Sequence, residues 1–260
     1  MPEAIRRKAQ VLSSSLLSTL DLWRGTMLVH AARQPKKRLR LYDLEGDPAC
    51  RQVREALTAL GLDADVFPCP IGGSRYRPKA EALAGAGGFP LLVDANTGDT
   101  LTSGTTIIAH LFRNYAEREP PAAYRPGAMA TRLAELGSML RAGRGLQARP
   151  ARRPRRRLLL WSFESSPYSR LVRERLCELE LGYTLHNVGK EQWTDLGPAA
   201  LRLRPGPYRP RPGGRREQLL ARWGRVQLPY LEDPNTGAAM FESADIIAYL
   251  EQHYAREPLP

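Results

Sequence analysis

An internal repeat constrains the fold of this chain more than any other feature. Residues 89–98 read FPLLVDANTG, and residues 228–237 read LPYLEDPNTG. Each decapeptide is followed by a similar segment, IIAHLFRNYA at 107–116 and IIAYLEQHYA at 246–255. The offset is 139 for both pairs, since 229 − 90 and 246 − 107 give the same value. The chain therefore contains two copies of one folding unit, each long enough to be a domain.

The two copies also match upstream, but at a different offset. RLRLYDLEGDP at 38–48 corresponds to RLLLWSFESSP at 157–167, an offset of 119. The second copy consequently carries 20 extra residues, which is 139 − 119. They fall around 198–216, a stretch rich in Arg, Pro and Gly, and this composition predicts a loop insertion because it resists regular structure.

The charge of the chain is strongly positive. Net charge is +12, and 42% of the 260 residues are hydrophobic, enough for two small cores. Such a balance suits nucleic acid, an anionic membrane or an acidic partner. Much of the excess lies in two proline-interrupted tracts, 149–157 and 202–216, without a nucleic-acid-binding motif. We interpret both as a solvated linker and loop and expect no specific nucleic-acid site; anion or RNA binding through these tracts is the alternative.

Cysteine usage and hydropathy indicate an intracellular protein. The three cysteines, an odd number without a signal peptide, argue against a secreted disulfide scaffold. Val11–Ala31 contains Asp21 and Arg24, so it is too polar to span a membrane and predicts an amphipathic helix. A similar leucine-rich stretch, Ala128–Leu146, precedes the second copy. We expect no transmembrane segment and a location in the cytoplasm, or in the plastid stroma of a photosynthetic eukaryote.

Periodicity and turn signals give both copies the order strand, helix, strand, helix, strand, strand, helix. A parallel strand–helix–strand unit joined to a hairpin and helix is the thioredoxin-type α/β architecture. We therefore expect two tandem thioredoxin-like domains, each a four-stranded mixed sheet with flanking helices. The predicted segments are a helix and linker at 1–36, a first domain at 37–119, a helix and Arg/Pro-rich linker at 120–156, and a second domain at 157–260 with a basic insertion near 198–216.

Several motifs together resemble a known family. They are YDLEGDPACRQVREAL, FPCPIGGSRYRPK and FPLLVDANTG in the first copy, and SFESSPYSRLVRERLCELEL and VQLPYLEDPNTGAAMFESADIIAYL in the second. The chain resembles a tandem pair of glutathione S-transferase N-terminal (glutaredoxin-like) domains, and more closely the two-copy proteins of this kind from plastids and cyanobacteria. The resemblance implies glutathione as a ligand or cosubstrate and no metal.

The first candidate site is the turn before the first helix of each copy, where the family carries Cys-Pro-x-Cys. The chain instead has Asp47-Pro48-Ala49-Cys50 and Ser166-Pro167-Tyr168-Ser169. Serine-type glutathione transferases hold the glutathione thiolate with a hydroxyl at this place, so the resemblance makes Ser166 a candidate catalytic residue, with Ser165 or Tyr168 as substitutes. Cys50 is a second candidate, as a single thiol. The alternatives are that Asp47 and Ser166 only cap helices and that Cys50 is buried and inert.

The second candidate site is the pair of prolines that precede the third strand of each copy, Pro90 and Pro229. The resemblance implies that both X-Pro bonds are cis. It also implies that the preceding residue, Phe89 or Leu228, offers its backbone N–H and C=O to the cysteinyl part of glutathione. A purely structural turn is the alternative interpretation.

The third candidate site is Glu242-Ser243, at the start of the last helix. In the family, such a pair binds the γ-glutamyl group, because the helix N-terminus and the hydroxyl hold its carboxylate. The first copy has Ser103-Gly104 at this register and so lacks the acid. A plain helix cap is the alternative.

These sites predict that the second copy binds glutathione or a thiol peptide. We expect Ser166, Leu228, Glu242 and Ser243 to converge in one cleft. Degenerate glutathione transferase or thiol redox activity is one expectation, and a non-catalytic protein-interaction module, which would bind a protein partner, is the alternative. The sequence indicates no oligomeric state.

Overall fold

The computed structural model describes residues 24–85, 88–125, 144–196 and 207–256. The first copy consists of β1 (Leu39–Asp43), α1 (Pro48–Leu60), β2 (Ala64–Pro68), α2 (Arg77–Ala84), β3 (Leu91–Asp94), β4 (Asp99–Leu101) and α3 (Gly104–Ala116). The second consists of β5 (Leu158–Ser162), α4 (Pro167–Glu178), β6 (Tyr183–Asn187), α5 (Arg215–Trp223), β7 (Tyr230–Asp233), β8 (Ala238–Phe241) and α6 (Ser243–Tyr254). The predicted order of strands and helices is confirmed in both copies.

Local sequence explains where α1 begins and ends. Pro48 occupies its first turn, where a missing N–H costs nothing, and the Asp47 carboxylate accepts a hydrogen bond from the Cys50 N–H at 2.8 Å. At the other end Gly61 adopts φ 62°, and its N–H donates back to the Leu57 and Thr58 carbonyls. These caps fix the length of the helix and bring its N-terminus beside the end of β1.

The strands of both copies form one continuous sheet. Within each copy the first strand is parallel to the second and antiparallel to the third, and the third pairs antiparallel with the fourth. β2 and β6 then pair antiparallel, with Asp65 opposite Thr184, which gives the order β4-β3-β1-β2-β6-β5-β7-β8. Because 119 is also the offset from Asp65 to Thr184, a pseudo-twofold axis passes between them. The two predicted four-stranded sheets are thus halves of one sheet, in which β2 and β6 protect each other's edges.

Helices cover both faces of this sheet. Alternate residues of β1 point to opposite sides, so Leu41 packs with α1 and α3 whereas Tyr42 packs with α2. The second copy repeats the arrangement, with Leu160 packed against α4 and α6 and Trp161 packed against α5. Each copy therefore has a large core on one face and a smaller one on the other.

The segment ahead of each copy crosses over to the other copy. Leu28 donates its N–H to the Lys190 carbonyl at 2.8 Å, and Lys190 returns a 2.8 Å bond to the Thr26 carbonyl. At the symmetry-related place Ile71 donates its N–H to the Leu146 carbonyl at 2.6 Å. The two copies are therefore interlocked through their leading segments as well as joined through the sheet.

The described parts of the two predicted leading helices are not helical. Residues 24–31, the end of the stretch Val11–Ala31, form a turn and an extended segment, and residues 144–146, the end of Ala128–Leu146, form a turn. Gly25 and Gly145 adopt φ 69° and 72°, a left-handed conformation that an α-helix cannot contain. A Cβ on Gly25 would also lie 2.8 Å from the Glu164 Cβ, so there is no room for a side chain at this position. The predicted helix is wrong for these residues, and the rest of both stretches lies outside the described residues.

The basic insertion is only partly described. Residues 207–214 form a loop as predicted, but α5 begins at Arg215 and so includes the last two residues of the predicted insertion; residues 197–206 lie outside the described ranges. None of the helices within those ranges is long and apolar enough to cross a lipid bilayer.

A buried ion cluster lies between the copies. Arg54 forms ion pairs with Asp43 at 2.6 Å, Glu45 at 3.4 Å and Glu164 at 3.0 Å, and Arg173 pairs with Glu45 at 3.1 Å and Glu164 at 3.0 Å. The offset of 119 relates the two arginines and also the two glutamates. Burial, aided by the charges of Glu45 and Glu164, raises the pKa of Asp43 to about 6 despite Arg54. Three carboxylates thus face two guanidinium groups, which favours a proton on Asp43.

Candidate functional site

Strand register brings three loops together at one end of the second copy. Trp161 pairs with Tyr230, and Tyr230 pairs with Phe241, in two antiparallel ladders. The end of β5, the beginning of β7 and the end of β8 therefore lie side by side. The loop 163–166, the pair 228–229 and the pair 242–243 extend from these three ends, so the structure places the candidate residues of the second copy at one end of the sheet.

Both candidate prolines follow cis peptide bonds, Phe89–Pro90 and Leu228–Pro229. This agrees with what the family resemblance implies for both copies. Pro90 and Pro229 are buried, whereas Phe89 and Leu228 are half-buried and pack against the smaller core of their own copy. A cis X-Pro bond is rare and serves tight turns. In each copy it turns the backbone of the preceding residue at the start of a strand.

Glu242 and Ser243 differ in conformation from their counterparts in the first copy. Ser243 begins α6 and is 1% exposed, and its hydroxyl has no hydrogen-bond partner among the described residues. Glu242 is exposed at φ 66° and ψ 119°, and its carboxylate accepts a bond from the Gln227 amide. In the first copy Ser103 has an ordinary extended backbone and Gly104 has no side chain. Positive φ at a residue other than glycine is strained, and such strain concentrates at ligand sites.

The turn before α4 is mostly covered. The Ser166 hydroxyl is 3% exposed and accepts a bond from the Ser169 N–H at 3.2 Å, so it caps the helix while its own proton can be donated elsewhere. Tyr168 is 44% exposed. The Ser165 hydroxyl bonds to that of Thr26, which belongs to the crossing segment. The first copy's leading segment therefore helps to shape the turn of the second copy.

Buried hydroxyls without partners are concentrated in the second copy. Among the described residues, three serine hydroxyls lack a hydrogen bond, those of Ser162, Ser169 and Ser243. An unpaired buried polar group costs about 1–3 kcal/mol, so each calls for an explanation. The counterparts in the first copy are Asp43, Cys50 and Gly104. That copy satisfies its polar groups here, and the second copy does not.

Cys50 lies in the interior, not in a cleft. It has no exposed surface, and burial raises the pKa of its thiol well above the ordinary value, with Asp43 and Asp47 adding to the effect. Its sulfur accepts a bond from the Leu44 N–H at 3.4 Å. The two other cysteines, Cys69 and Cys177, are also buried and free. Thiolate chemistry is disfavoured at Cys50 in this environment.

Two cationic side chains lie beside the turn, and the sequence analysis did not predict them there. The Lys190 ammonium lies 5.8 Å from the centre of the Phe163 ring, and the Arg216 guanidinium lies 6.0 Å from it. Burial, followed by the charge of Arg216, lowers the pKa of Lys190 to about 8. Arg216 also donates to the Gly189 carbonyl at 3.0 Å, across 27 positions that include the insertion. No local sequence signal could have shown that these cations flank the loop carrying Ser166.

Metal binding has no support in the described ranges. Within them, no group of three or more His, Cys, Asp or Glu side chains is placed to hold an ion. The groups found at this end of the sheet are hydroxyls, backbone groups, the exposed Glu242 carboxylate and two neighbouring cations.

Comparison with known proteins identifies the family. The family profile for the glutathione S-transferase N-terminal domain matches two segments, residues 41–119 and 160–258. These segments coincide with the two copies, contain both cis-prolines, and together make up more than half of the chain. No curated protein and no solved structure matches the chain. The chain belongs to the glutathione S-transferase N-terminal domain family and contains that domain twice.

Proposed function

We propose that the second copy binds glutathione, or a similar γ-glutamyl thiol peptide, at the end of the sheet where Leu228, Glu242 and Ser243 meet. The observation that carries this proposal is the Ser243 hydroxyl, which is buried at the N-terminus of α6 without a partner. A ligand carboxylate would give it the missing hydrogen bond. The strained backbone of Glu242 next to it is a second sign of a ligand site.

The γ-glutamyl group would bind at the start of α6. Its carboxylate would accept hydrogen bonds from the Ser243 hydroxyl and from the unpaired N–H groups of the first turn, where the helix dipole favours negative charge. Its ammonium would pair with the exposed Glu242 carboxylate. The first copy, with Ser103 and Gly104, lacks both contacts.

The cysteinyl part would bond to the backbone N–H and C=O of Leu228. Leu228 precedes β7 and lies outside the ladders that β7 forms with β5 and β8, so an extended peptide can pair with it there. The ligand sulfur would then lie beside the turn that carries Ser166 and Tyr168. Donation from the Ser166 hydroxyl and the positive charges of Lys190 and Arg216 would favour the thiolate.

A thiolate held in this way supports transfer to an electrophile. The thiol proton would pass to solvent, sulfur would form a bond to an electrophilic carbon, and the leaving group would depart with the electron pair of its broken bond. We assign Ser166 to the reaction and Cys50 to the core, because the buried thiol has no access to such a substrate. No step requires a metal.

A second candidate function is a non-catalytic binding module for glutathione or a thiol peptide. It is favoured by the absence of cysteine at both motif positions of the second copy, Ser166 and Ser169, and by the burial of all three thiols. Without cysteines at these two positions, the turn before α4 cannot carry out dithiol exchange.

Calorimetric titration with reduced glutathione tests the binding proposal. Ser243→Ala should weaken binding by roughly 10-fold or more, because a hydrogen bond to a charged group contributes about 1.5–3 kcal/mol. Ser103→Ala removes a serine hydroxyl from the equivalent helix start of the first copy, where Gly104 stands at the position of Ser243, so it is the matched control and should leave the affinity unchanged. Absence of binding at millimolar glutathione would contradict both functions.

The catalytic assignment needs a separate measurement. Ser166→Ala should lower kcat/KM for conjugation of glutathione to a chromogenic aryl halide by about 10-fold or more, because the variant lacks one hydrogen-bond donor to the thiolate. If the variant keeps full activity, the role of Ser166 is wrong. If the wild-type chain binds glutathione without turnover, the catalytic assignment is wrong and the binding-module function replaces it.

A further inference from the structure

A cationic cleft lies at the centre of the sheet face that carries α2 and α5. Its volume is about 440 Å³. Phe67, Leu159 and Thr184 of three adjacent strands contribute to its lining, together with Tyr76 and Pro234. Five arginines complete it, Arg38, Arg153, Arg155, Arg156 and Arg157. We interpreted the basic tract 149–157 as a solvated linker from the sequence. In the structure, residues 153–157 of this tract line one side of a concave site.

The tract is held in place at both ends. Arg152 donates its N–H to the Tyr254 carbonyl at 2.6 Å, next to an antiparallel bridge between residues 151 and 255. At the other end the Asn235 side chain accepts from the Arg156 N–H at 2.8 Å and donates to the Arg156 carbonyl at 2.9 Å. The arginines between these points consequently project from a fixed backbone, so less conformational entropy is lost when they bind a ligand.

Positive charge in the cleft greatly exceeds negative charge. The Asp65 carboxylate pairs with Arg157 at 2.9 Å and Arg38 at 3.6 Å, and it accepts a bond from the Thr184 hydroxyl at 2.8 Å. Within the described ranges, the side chains of the other three cleft arginines, at positions 153, 155 and 156, form no ion pair. Asp65 thus orients two guanidinium groups, and most of the positive charge remains uncompensated.

We propose that this cleft binds a small polyanion that carries two or more phosphate groups. Guanidinium groups bind phosphate oxygens in pairs, and clefts lined by one sign of charge concentrate counter-ions. The volume lies within the roughly 300–1,000 Å³ of small-molecule sites. A ligand with a single negative charge would leave most of the arginines unpaired, so the charge count favours a polyphosphate.

The packing around Phe67 in the cleft argues against an extended nucleic acid as the ligand. Single-stranded nucleic acid binds along a groove with bases stacked on free aromatic faces. Here Tyr42 stacks on the Phe67 ring with centroids 5.0 Å apart, and the Arg157 guanidinium lies 5.7 Å from the centre of the same ring. Phe67 therefore has little surface left for a base.

The cleft is separate from the proposed glutathione site. Leu228 and Pro229 precede β7, whereas Pro234 follows it, so the two sites lie at opposite ends of that strand. Arg157 likewise precedes β5, and Ser166 lies beyond its other end. A ligand in one site therefore leaves the other accessible.

Titration with inorganic tripolyphosphate tests the proposal on the full chain. The double variant Arg155→Gln/Arg156→Gln removes two charges from the cleft. The matched control, Lys36→Gln/Lys37→Gln, removes two charges at the equivalent positions of the first copy (an offset of 119), which do not line the cleft. All four side chains are exposed, so both variants should keep the thermal stability of the wild type.

The proposal predicts that the cleft variant weakens tripolyphosphate binding by about 10-fold or more and the control by less than about 3-fold. Saturating glutathione should leave the affinity for tripolyphosphate unchanged. Equal weakening by both variants would show a response to net charge only and would overturn the proposal. So would binding of a single-stranded RNA oligonucleotide without binding of tripolyphosphate, or no binding of either.

Discussion

Replacing Arg54 by methionine tests how strongly the buried ion cluster joins the two copies. The Arg54 side chain is 1% exposed and contacts Asp43, Glu45 and Glu164, the last of which belongs to the second copy. Its Nη2 also donates to the Glu45 carbonyl at 3.0 Å. Methionine fills a comparable length without the charge, so the variant removes the guanidinium while keeping much of the packing.

The expected cost follows from the charges that remain. Without Arg54, Asp43 would lose its ion-pair partner, and Glu45 and Glu164 would keep their pairs with Arg173. Removing one partner of a buried pair costs about 3–5 kcal/mol, because it leaves uncompensated charge in the interior. We expect the free energy of unfolding to fall by that amount at about pH 7.5.

The loss of stability in Arg54→Met should depend on pH, and the protonation of Asp43 determines the direction of that dependence. Its folded pKa of about 6 is above the ordinary aspartate value of 3.8, so the folded state takes up a proton in that interval. The stability linked to this proton is fully present below 3.8 and is lost as pH rises towards 6. Loss of Arg54 raises the pKa of Asp43 further. The variant should therefore be less destabilised at about pH 5 than at about pH 7.5, because protonation removes one of the unpaired charges.

Urea unfolding followed by tryptophan fluorescence gives the free energies. Arg113→Met is the control, since the Arg113–Glu119 pair is 60% and 58% exposed and solvent screens such a pair, so its loss should change stability little. Arg173→Met, the pseudo-symmetric change, should resemble Arg54→Met. A loss below about 1 kcal/mol for Arg54→Met at both pH values, or an equal loss in the control, would refute the reasoning.

Three further predictions concern other parts of the structure. Asn235→Ala removes both hydrogen bonds to the Arg156 backbone and should cost about 1–3 kcal/mol in urea unfolding; a change within error would show that the turn does not fasten the tract. Cys50 should react with iodoacetamide far more slowly in the folded than in the unfolded chain, and rapid native labelling by mass spectrometry would contradict its burial. Lys190 should titrate with a pKa of about 8 by NMR, and Arg216→Gln should raise that pKa by removing repulsion. Because the folded pKa is below the ordinary lysine value of 10.5, the charged Lys190 destabilises the fold below pH 8, and this effect is relieved as pH rises to 10.5; an unchanged pKa in the variant would contradict the repulsion.

The repeat predicts the fold of each copy well, since the repeated residues have structural roles that recur. Asn96 bonds to the backbone of Lys37 as Asn235 does to that of Arg156, so the Asn-Thr-Gly turn fastens the segment before the first strand in both copies. Likewise the strand and helix order depends on local periodicity and caps, which the sequence shows directly. The residues of the proposed glutathione site were indicated by family resemblance, and the strand register places them at one end of the sheet.

The joining of the two copies could not be predicted, because its signals are not local. Arg54 and Glu55 have the polar composition of an exposed helix face, yet both are buried. Arg54 pairs with Glu164 of the second copy, and Glu55 pairs with Arg24 of the crossing segment. Arg54 and Glu164 are 110 positions apart, and nothing in either neighbourhood indicates their pairing. One signal was available: Arg-Gly occurs at 24–25 and at 144–145, close to the repeat offset, and marks the two crossing segments.

A crystal structure obtained with reduced glutathione tests the central claim, that the second copy is the ligand-binding copy, most directly. We predict one glutathione per chain, with its cysteinyl backbone paired to Leu228 and its γ-glutamyl carboxylate bonded to the Ser243 hydroxyl and the first turn of α6. Glutathione bound beside Phe89 in the first copy, or an unoccupied second copy at millimolar ligand, would contradict it.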